Sequence, residues 1–119
     1  MAQAKKNPIQ VIQTSKAGPP VGPYSQGIKA GGFIFVAGEK GMDPVTKQIV
    51  PGGIEAETRR TLENIKAILE EAGSRLDLVV QTFVNTTHLA PNKRHSAAQL
   101  QNDAKGSLET IHRIVREGP

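Results

Sequence analysis

The chain of 119 residues lacks cysteine and tryptophan, and its aromatic residues are only three Phe and one Tyr. Without cysteine there is no disulfide framework, no cysteine-ligated metal and no thiol nucleophile. No apolar run approaches the roughly 20 residues that cross a bilayer, and the polar N-terminus shows no apolar segment of a secretory signal. We therefore expect a cytoplasmic protein with no membrane partner.

The scarcity of aromatic residues means that the core must consist of Ile, Val, Leu and Ala. A chain of this length is expected to form one domain, residues 1–119, with a small core. Contacts between subunits are then expected to bury further apolar surface. The net charge of +4 permits anionic partners, including RNA or carboxylate metabolites. Because the charges are scattered and aromatic rings are few, RNA is the less favoured partner.

Two apolar runs, YSQGIKA and FIFVAG, give the clearest strand pattern. They flank Gly31 and Gly32, a pair that favours a hairpin turn because glycine adopts positive φ without penalty. Residues 9–14 predict a short strand before this hairpin. The three prolines of residues 16–23 predict an irregular loop between the two.

A helix is predicted over residues 54–73, where apolar residues recur at spacings of three and four. Gly73 suits the position just past a helix end. The β-branched residues of RLDLVVQTFVNTTHL then predict a long strand over residues 75–89. This order predicts an α+β domain in which a helix covers one face of a sheet.

The tail, residues 92–119, permits two interpretations. Helical periodicity places five apolar side chains on one stripe: Leu100, Ala104, Leu108, Ile111 and Val115. Gly106 weakens a helix there, and the strand period over SLETIHRIV gives a poorer apolar face. Periodicity alone favours the helix.

Few residues carry a chemical pattern. His88, His95 and His112 lie too far apart in sequence to form a metal pattern, and we expect no metal site. Tyr24 lies in a Gly-Pro loop, where it could anchor the loop on the core or bind a ligand through its ring and hydroxyl. Glu39 and Lys40 could be a solvated strand end or the rim of a pocket.

The segments VGPYSQGIKAGGFIFVAGE and GGIEAETRRTLENIKAILEEAGS resemble the reactive intermediate deaminase family, also called the Rid, YjgF-type or endoribonuclease L-PSP family. The resemblance runs in one register over about residues 20–89. It implies an α+β fold of the Bacillus chorismate-mutase type, with the sheet covered by helices on one face. It also implies a homotrimer whose sheets form a central barrel, with three sites between neighbouring subunits.

The resemblance implies hydrolysis of reactive enamines and imines, such as 2-aminoacrylate or 2-iminobutyrate, to 2-keto acids and ammonia. No metal or organic cofactor is implied. The implied ligand is a small 2-imino, 2-enamino or other carboxylate, which an arginine would bind through its planar fork. An inert family member that only binds small carboxylates, and a ribonuclease, are the alternatives.

The site implied by the resemblance comprises Tyr24, Ala37 and Gly38 as substrate-binding residues, with Glu39 and Arg94 as catalytic residues. The family's usual Ser-Gly-Gln is Ala37-Gly38-Glu39 here, so a carboxylate replaces an amide. That carboxylate could repel a carboxylate substrate or act as a base.

The segment of residues 90–119 is atypical of the family. One alignment places Lys105 and Gly106 on the family's last strand, which puts His95 at the position of the carboxylate-binding arginine and Arg94 one residue early. A competing alignment makes residues 93–116 the family's second helix and leaves out the last two strands. A third possibility is unrelated sequence.

Overall fold

The structure, a computed structural model, describes residues 9–83, 105, 109–114, 116 and 117. It contains three short strands, β1 (Gln10–Ile12), β2 (Gly27–Ala30) and β3 (Phe33–Val36), followed by one long helix, α1 (Gly53–Glu71). The strands form an antiparallel sheet in the order β1-β2-β3. The predicted first strand, hairpin and α+β class are confirmed.

The hairpin turns at the two glycines that the sequence indicated. Gly31 and Gly32 have φ values of 57° and 80°, the left-handed conformation that matches the twist of a two-residue hairpin. Ala30 pairs with Phe33, and Gly27 pairs with Val36 at the far end. The turn therefore sets which residues of β2 and β3 lie on each face of the sheet.

Helix α1 covers one face of the sheet and builds the core there. Residues from the sheet, the loop after β1 and the helix pack together at this interface: Ile12, Ala17, Ile34, Val36, Ala67, Ile68 and Ala72. Gly27 permits the close approach, because a Cβ at that position would lie 2.9 Å from Ile68 Cγ2. The core is aliphatic, as the composition required.

The opposite face of the sheet is apolar as well. Val11, Ile28 and Phe35 are paired across the three strands, and Ala30 and Phe33 continue the same alternation along β2 and β3. We refer to these five residues as the open sheet face. Val11 is 57% exposed and Phe35 is 60% exposed, so large apolar side chains on this face meet solvent in a single chain.

The predicted helix over residues 54–73 is confirmed to within a turn. Gly52 precedes it with a φ of 114°. At the other end the N–H of Gly73 donates to the carbonyl of Glu70, and the N–H of Ser74 donates to that of Leu69. This pair of bonds, with Gly73 at a φ of 84°, is a Schellman ending.

The predicted long strand over residues 75–89 is wrong for its described part, residues 75–83. An Arg75–Asp77 ion pair accompanies a 3₁₀ turn, Leu76–Leu78, and residues 79–83 pair with no strand among the described residues. Val80 is 91% exposed and Phe83 is 83% exposed. Their β-branched and aromatic character suits a strand, but a strand needs a hydrogen-bonded neighbour. Residues 84–89 lie outside the described residues.

The tail is helical where the structure describes it. Residues 109–114 form helix, so the strand alignment over SLETIHRIV is wrong for these residues and the helical interpretation is confirmed. Thr110 and Ile114, four residues apart, are buried, and Ile111 is half-buried. Ile111 is the one member of the predicted stripe among the described residues, and the more deeply buried positions beside it, Thr110 and Ile114, were not predicted. The described residues contain no helix long and apolar enough to cross a membrane.

Candidate functional site

A small cleft lies between the loop before β2 and the segment after β3. Its lining comes from both sides of the hairpin: Gly18, Pro19, Pro20, Tyr24, Gln26, Gly38, Glu39, Lys40 and Met42. We call it the Tyr24–Glu39 cleft. Three residues of the predicted site, Tyr24, Gly38 and Glu39, meet here. Arg94, His88 and His95 lie outside the described residues.

Gln26 holds the loop wall of the cleft in place. Its side chain is buried, and its Oε1 accepts a hydrogen bond from the Thr14 N–H at 2.7 Å. Its Nε2 donates to the carbonyls of Thr14, at 3.1 Å, and Gly18, at 2.9 Å. One amide thereby satisfies the backbone of a proline-rich loop that forms no regular structure. Sequence reasoning missed Gln26, whose only signal is a glutamine directly before a strand.

Tyr24 contributes to the cleft and also stabilises its own loop. Its N–H donates to the Gly22 carbonyl at 2.8 Å, and its hydroxyl oxygen accepts from the Val21 N–H at 3.2 Å. The side chain remains partly exposed. Because the hydroxyl oxygen is the acceptor in that hydrogen bond, the hydroxyl proton is not used in it and can be donated to a ligand. The two alternatives for Tyr24, loop anchor and cleft wall, thus coexist.

The second wall begins at Ala37, directly after β3. Ala37 does not line the cleft, and its N–H donates to the Gln26 carbonyl at 3.0 Å. This bond ties the segment after β3 to the residue that holds the loop wall. Gly38 is exposed, and open space surrounds the position of a Cβ there. The second wall therefore leaves room beside Glu39.

The far part of the second wall is fixed to α1. Asn64 is fully buried and donates from Nδ2 to the carbonyls of Lys40, at 3.1 Å, and Met42, at 2.9 Å. Gly41 lies against the helix backbone, since a Cβ on it would be 2.7 Å from both Cα and O of Glu57. Sequence reasoning missed these contacts, because they join residues 16 to 24 positions apart.

Glu39 is the residue of the cleft with unusual electrostatics. Burial of its carboxyl raises the pKa from 4.5 to about 7, and the positive charge of Lys40 partly opposes that rise. Near neutral pH, both protonation states of Glu39 are populated. Such a carboxyl can accept a proton in one step and donate it in the next.

A wider, open groove lies along the first turns of α1, with Val50, Glu55, Arg59 and Glu63 among its lining residues. Both of its carboxylates already have cationic partners: Glu63 pairs with Arg60 at 2.9 Å, and Glu55 pairs with Arg113 of the tail at 2.7 Å. We therefore place the candidate chemistry in the Tyr24–Glu39 cleft. The described residues contain no group of three His, Asp or Glu side chains that could hold a metal ion.

Comparison with known proteins gives consistent results. Residues 14–101 match the family described as Endoribonuclease L-PSP. A RutC family protein of Pyrococcus abyssi is 59% identical over 75 residues, which are 63% of this chain and 59% of that protein. The 2-iminobutanoate/2-iminopropanoate deaminase of Mus musculus is 41% identical over 75 residues, 63% of this chain and 56% of that protein.

Among solved structures, E. coli TdcF with bound serine superimposes with a TM-score of 0.75 at 28% identity, covering 92% of this chain and 76% of that one. The superposition thus extends beyond the part that aligns with the curated sequences. The matched part of the chain spans about three-fifths of the length of the curated relatives.

Proposed function

Because this chain belongs to the Endoribonuclease L-PSP (Rid, YjgF-type) family, we propose that it is a cytoplasmic hydrolase of small 2-imino and 2-enamino acids. The products are the corresponding 2-keto acid and ammonia. The observation that carries the proposal is Glu39, a half-buried carboxyl with a pKa of about 7 that shares a cleft with Tyr24. Relatives named as 2-iminobutanoate/2-iminopropanoate deaminases support the substrate class.

The reaction needs one water and no redox step. Water adds to C2 of the imine, giving a carbinolamine that bears both a hydroxyl and an amino group. The C–N bond then breaks, the amine leaves as ammonia, and the hydroxyl oxygen becomes the keto oxygen. An enamine first accepts a proton at C3 to become the electrophilic iminium. Because the imine is already reactive, the protein's task is to hold it and to move protons.

Glu39 is the group we propose for the proton transfers. As a carboxylate it accepts a proton from the attacking water, and as a carboxylic acid it donates one to the departing nitrogen or to C3 of an enamine. A pKa near the working pH suits both roles. We propose that Tyr24 donates its hydroxyl proton to the substrate, while Gly38 provides backbone next to it and Ala37 only ties this backbone to Gln26.

The substrate carboxylate requires a cation. We propose Arg94 for this role, as the resemblance implies, although it lies outside the described residues. Lys40 lines the cleft beside Glu39 and supplies positive charge on the described side. TdcF was solved with bound serine, a 2-amino carboxylate of similar size, which supports a small amino-acid-like ligand.

We propose that the working form is a homotrimer. The support is the open sheet face, whose exposed Val11, Phe33 and Phe35 form the kind of apolar patch that proteins bury in permanent interfaces. Packing this face against other copies would complete the burial of a sheet that α1 covers on one side only.

The decisive experiment generates 2-iminobutyrate or 2-iminopropionate enzymatically from an amino acid and follows the decay of the imine. The wild-type protein is expected to accelerate the decay above the buffer rate. Glu39→Ala, which removes the carboxyl without restoring the family's usual amide, is expected to reduce the acceleration by about 100-fold, typical for loss of general acid–base catalysis. Glu71→Ala, the same change on an exposed side chain at the end of α1, is expected to have no effect. A wild-type rate equal to the buffer rate refutes the hydrolase.

Two alternatives are tested by the same preparation. A binding protein without turnover would be stabilised by 2-ketobutyrate or serine while leaving the imine rate unchanged. A ribonuclease, the activity in the family's older name, would bind and cleave RNA, with affinity falling steeply as salt rises. Glu39 as an acid–base group favours turnover over binding alone, and the relatives named as imino acid deaminases favour the imine reaction over RNA cleavage.

A further inference from the structure

We propose that Asn64, oriented by Arg60, is a positioning residue that holds the segment bearing Glu39 against α1. In this position the carboxyl of Glu39 stays half-buried. Neither Asn64 nor Arg60 lines the Tyr24–Glu39 cleft. The importance of this role for catalysis rests on the proposed hydrolase function. The positioning itself is a statement about Glu39 that can be tested without turnover.

The first observation is that Asn64 is completely buried in the middle of α1. Asparagine is a poor helix former and is costly to bury without partners. Here every hydrogen-bonding position of the amide is used. Oδ1 accepts from Arg60 Nε at 3.0 Å and Nη2 at 2.8 Å, and Nδ2 makes two donations. Asn64 is therefore unfavourable for the helix itself, and its hydrogen bonds serve to hold the segment of residues 40–42 in place.

The second observation is that the orientation of the amide is unambiguous. A guanidinium can only donate and a backbone carbonyl can only accept, so Oδ1 must face Arg60 and Nδ2 must face the carbonyls of Lys40 and Met42. Arg60 is itself held by Glu63, whose Oε2 lies 2.9 Å from Nη1. The fork of Arg60 therefore fixes which side of Asn64 meets the cleft wall.

The third observation concerns what Asn64 holds. All three carbonyls of residues 40–42 are bonded: those of Lys40 and Met42 to Asn64, and that of Gly41 to the Val50 N–H at 2.8 Å. Glu39 directly precedes this fixed segment, and Ala37 on its other side is bonded to Gln26. The Glu39 side chain is thus carried by a short piece of chain that is anchored at both ends.

The environment of Glu39 follows from this anchoring. Among the described residues, Tyr24 across the cleft and Lys40 beside it are the titratable groups that line the site with Glu39, and the other lining residues are uncharged. Arg60, on α1, is engaged with Glu63 and Asn64. Release of the wall would let water reach the carboxyl, and the desolvation that sets its acidity would be lost.

The test replaces Asn64 with leucine, which has the same branched shape, favours helix, introduces no charge and cannot form the hydrogen bonds of the amide. The readout is the titration of the Glu39 carboxyl by NMR in protein carrying ¹³C-labelled glutamate, with Glu39→Gln identifying the signal. In Asn64→Leu we expect the pKa of Glu39 to fall toward that of an ordinary glutamate by about one unit or more, the size of shift that hydration produces. Arg60→Lys, which keeps the charge but loses the fork, is expected to give a smaller shift in the same direction.

The matched control is Ile68→Val, a buried substitution on the same helix that packs on Gly27 and Ile12 instead of the cleft wall. Ile68→Val removes apolar contacts and so destabilises the fold. It does not change the charges or the hydration around Glu39, so the pKa of Glu39 is expected to stay within about 0.3 units of the wild-type value. A Glu39 pKa in Asn64→Leu equal to that of wild type overturns the proposal. If Asn64→Leu does not fold, Arg60→Lys decides by the same criterion. If the wild-type protein does not hydrolyse imines, the proposed function is refuted. The titration of Glu39 would still test whether Asn64 positions it.

Discussion

Arg113 Nη2 lies 2.7 Å from Glu55 Oε1 and donates a hydrogen bond that joins the tail to the first turn of α1 across 58 positions of sequence. The bond shows that the described tail residues 109–114 lie against α1 as a second helical segment. Ile114, on the same segment, is buried. Residues 109–114 therefore belong to the packed domain.

The first prediction concerns this ion pair. Arg113 lowers the pKa of Glu55, so the pair stabilises the fold above the ordinary glutamate pKa and this stability is lost as pH falls through the lowered value. Glu55→Gln is expected to lower the melting temperature slightly at pH 7 in low salt. Because both side chains are exposed, the difference from wild type is expected to disappear in 1 M NaCl. Glu57→Gln, an equal charge change in the same part of α1, is the control. A salt-independent loss in Glu55→Gln would contradict an electrostatic origin.

The second prediction is a pH dependence of stability that arises from Glu39. Its pKa is about 7 in the folded chain against an ordinary value of 4.5, so the folded state binds more protons between these values. The free energy of unfolding therefore falls as pH rises through that window. Glu39→Gln cannot titrate and so does not lose this stability. The free energy of unfolding of Glu39→Gln minus that of wild type is therefore expected to be about 2 kcal/mol higher at pH 8 than at pH 5.

Urea unfolding at the two pH values measures this difference. Glu71→Gln is the control, and its free energy of unfolding is expected to differ from that of wild type by the same amount at both pH values. If wild type and Glu39→Gln differ in free energy of unfolding by the same amount at pH 5 and pH 8, Glu39 has the pKa of an ordinary glutamate.

The sequence predicted the elements whose signals are local. Gly31 and Gly32 specify a turn, and Gly73 specifies a helix end, because each position needs a left-handed backbone that glycine adopts freely. The long strand over residues 75–89 was predicted from β-branched residues, and its described part has no strand partner. Strand propensity describes a side chain that fits a sheet, and it does not provide the neighbouring strand.

The candidate site was predictable only in part. Tyr24, Gly38 and Glu39 were singled out from the sequence, and they do share one cleft. Gln26 and Asn64, which hold its two walls, were missed because their bonds reach residues 8 to 24 positions away. A buried amide and an exposed one have the same letter in a sequence, and only the fold distinguishes them.

The third prediction compares two glycines of the same cleft wall. An added Cβ at Gly41 would lie 2.7 Å from backbone atoms of Glu57, whereas one at Gly38 would meet nothing within 4 Å. Gly41→Ala must push the wall away from α1 and is expected to cost about 1–3 kcal/mol of stability. Gly38→Ala is expected to be neutral or slightly stabilising, because it restricts the unfolded chain. Urea unfolding of both variants checks the contrast, and equal stabilities would show that Gly41 does not contact the helix.

The last prediction tests the open sheet face. Phe35 lies at the centre of β3, paired with Ile28, and is 60% exposed in the single chain. In a trimer closed by this face, Phe35→Glu would bury a charge without a partner. The variant is therefore expected to elute as a monomer, with its mass measured by light scattering, while the wild type has the mass of three chains. Val45→Glu introduces the same charge at an even more exposed apolar residue in the turn after β3, and it is expected to remain a trimer. A wild-type mass of one chain, or a Phe35→Glu variant that still assembles, would remove the open sheet face as the trimer interface.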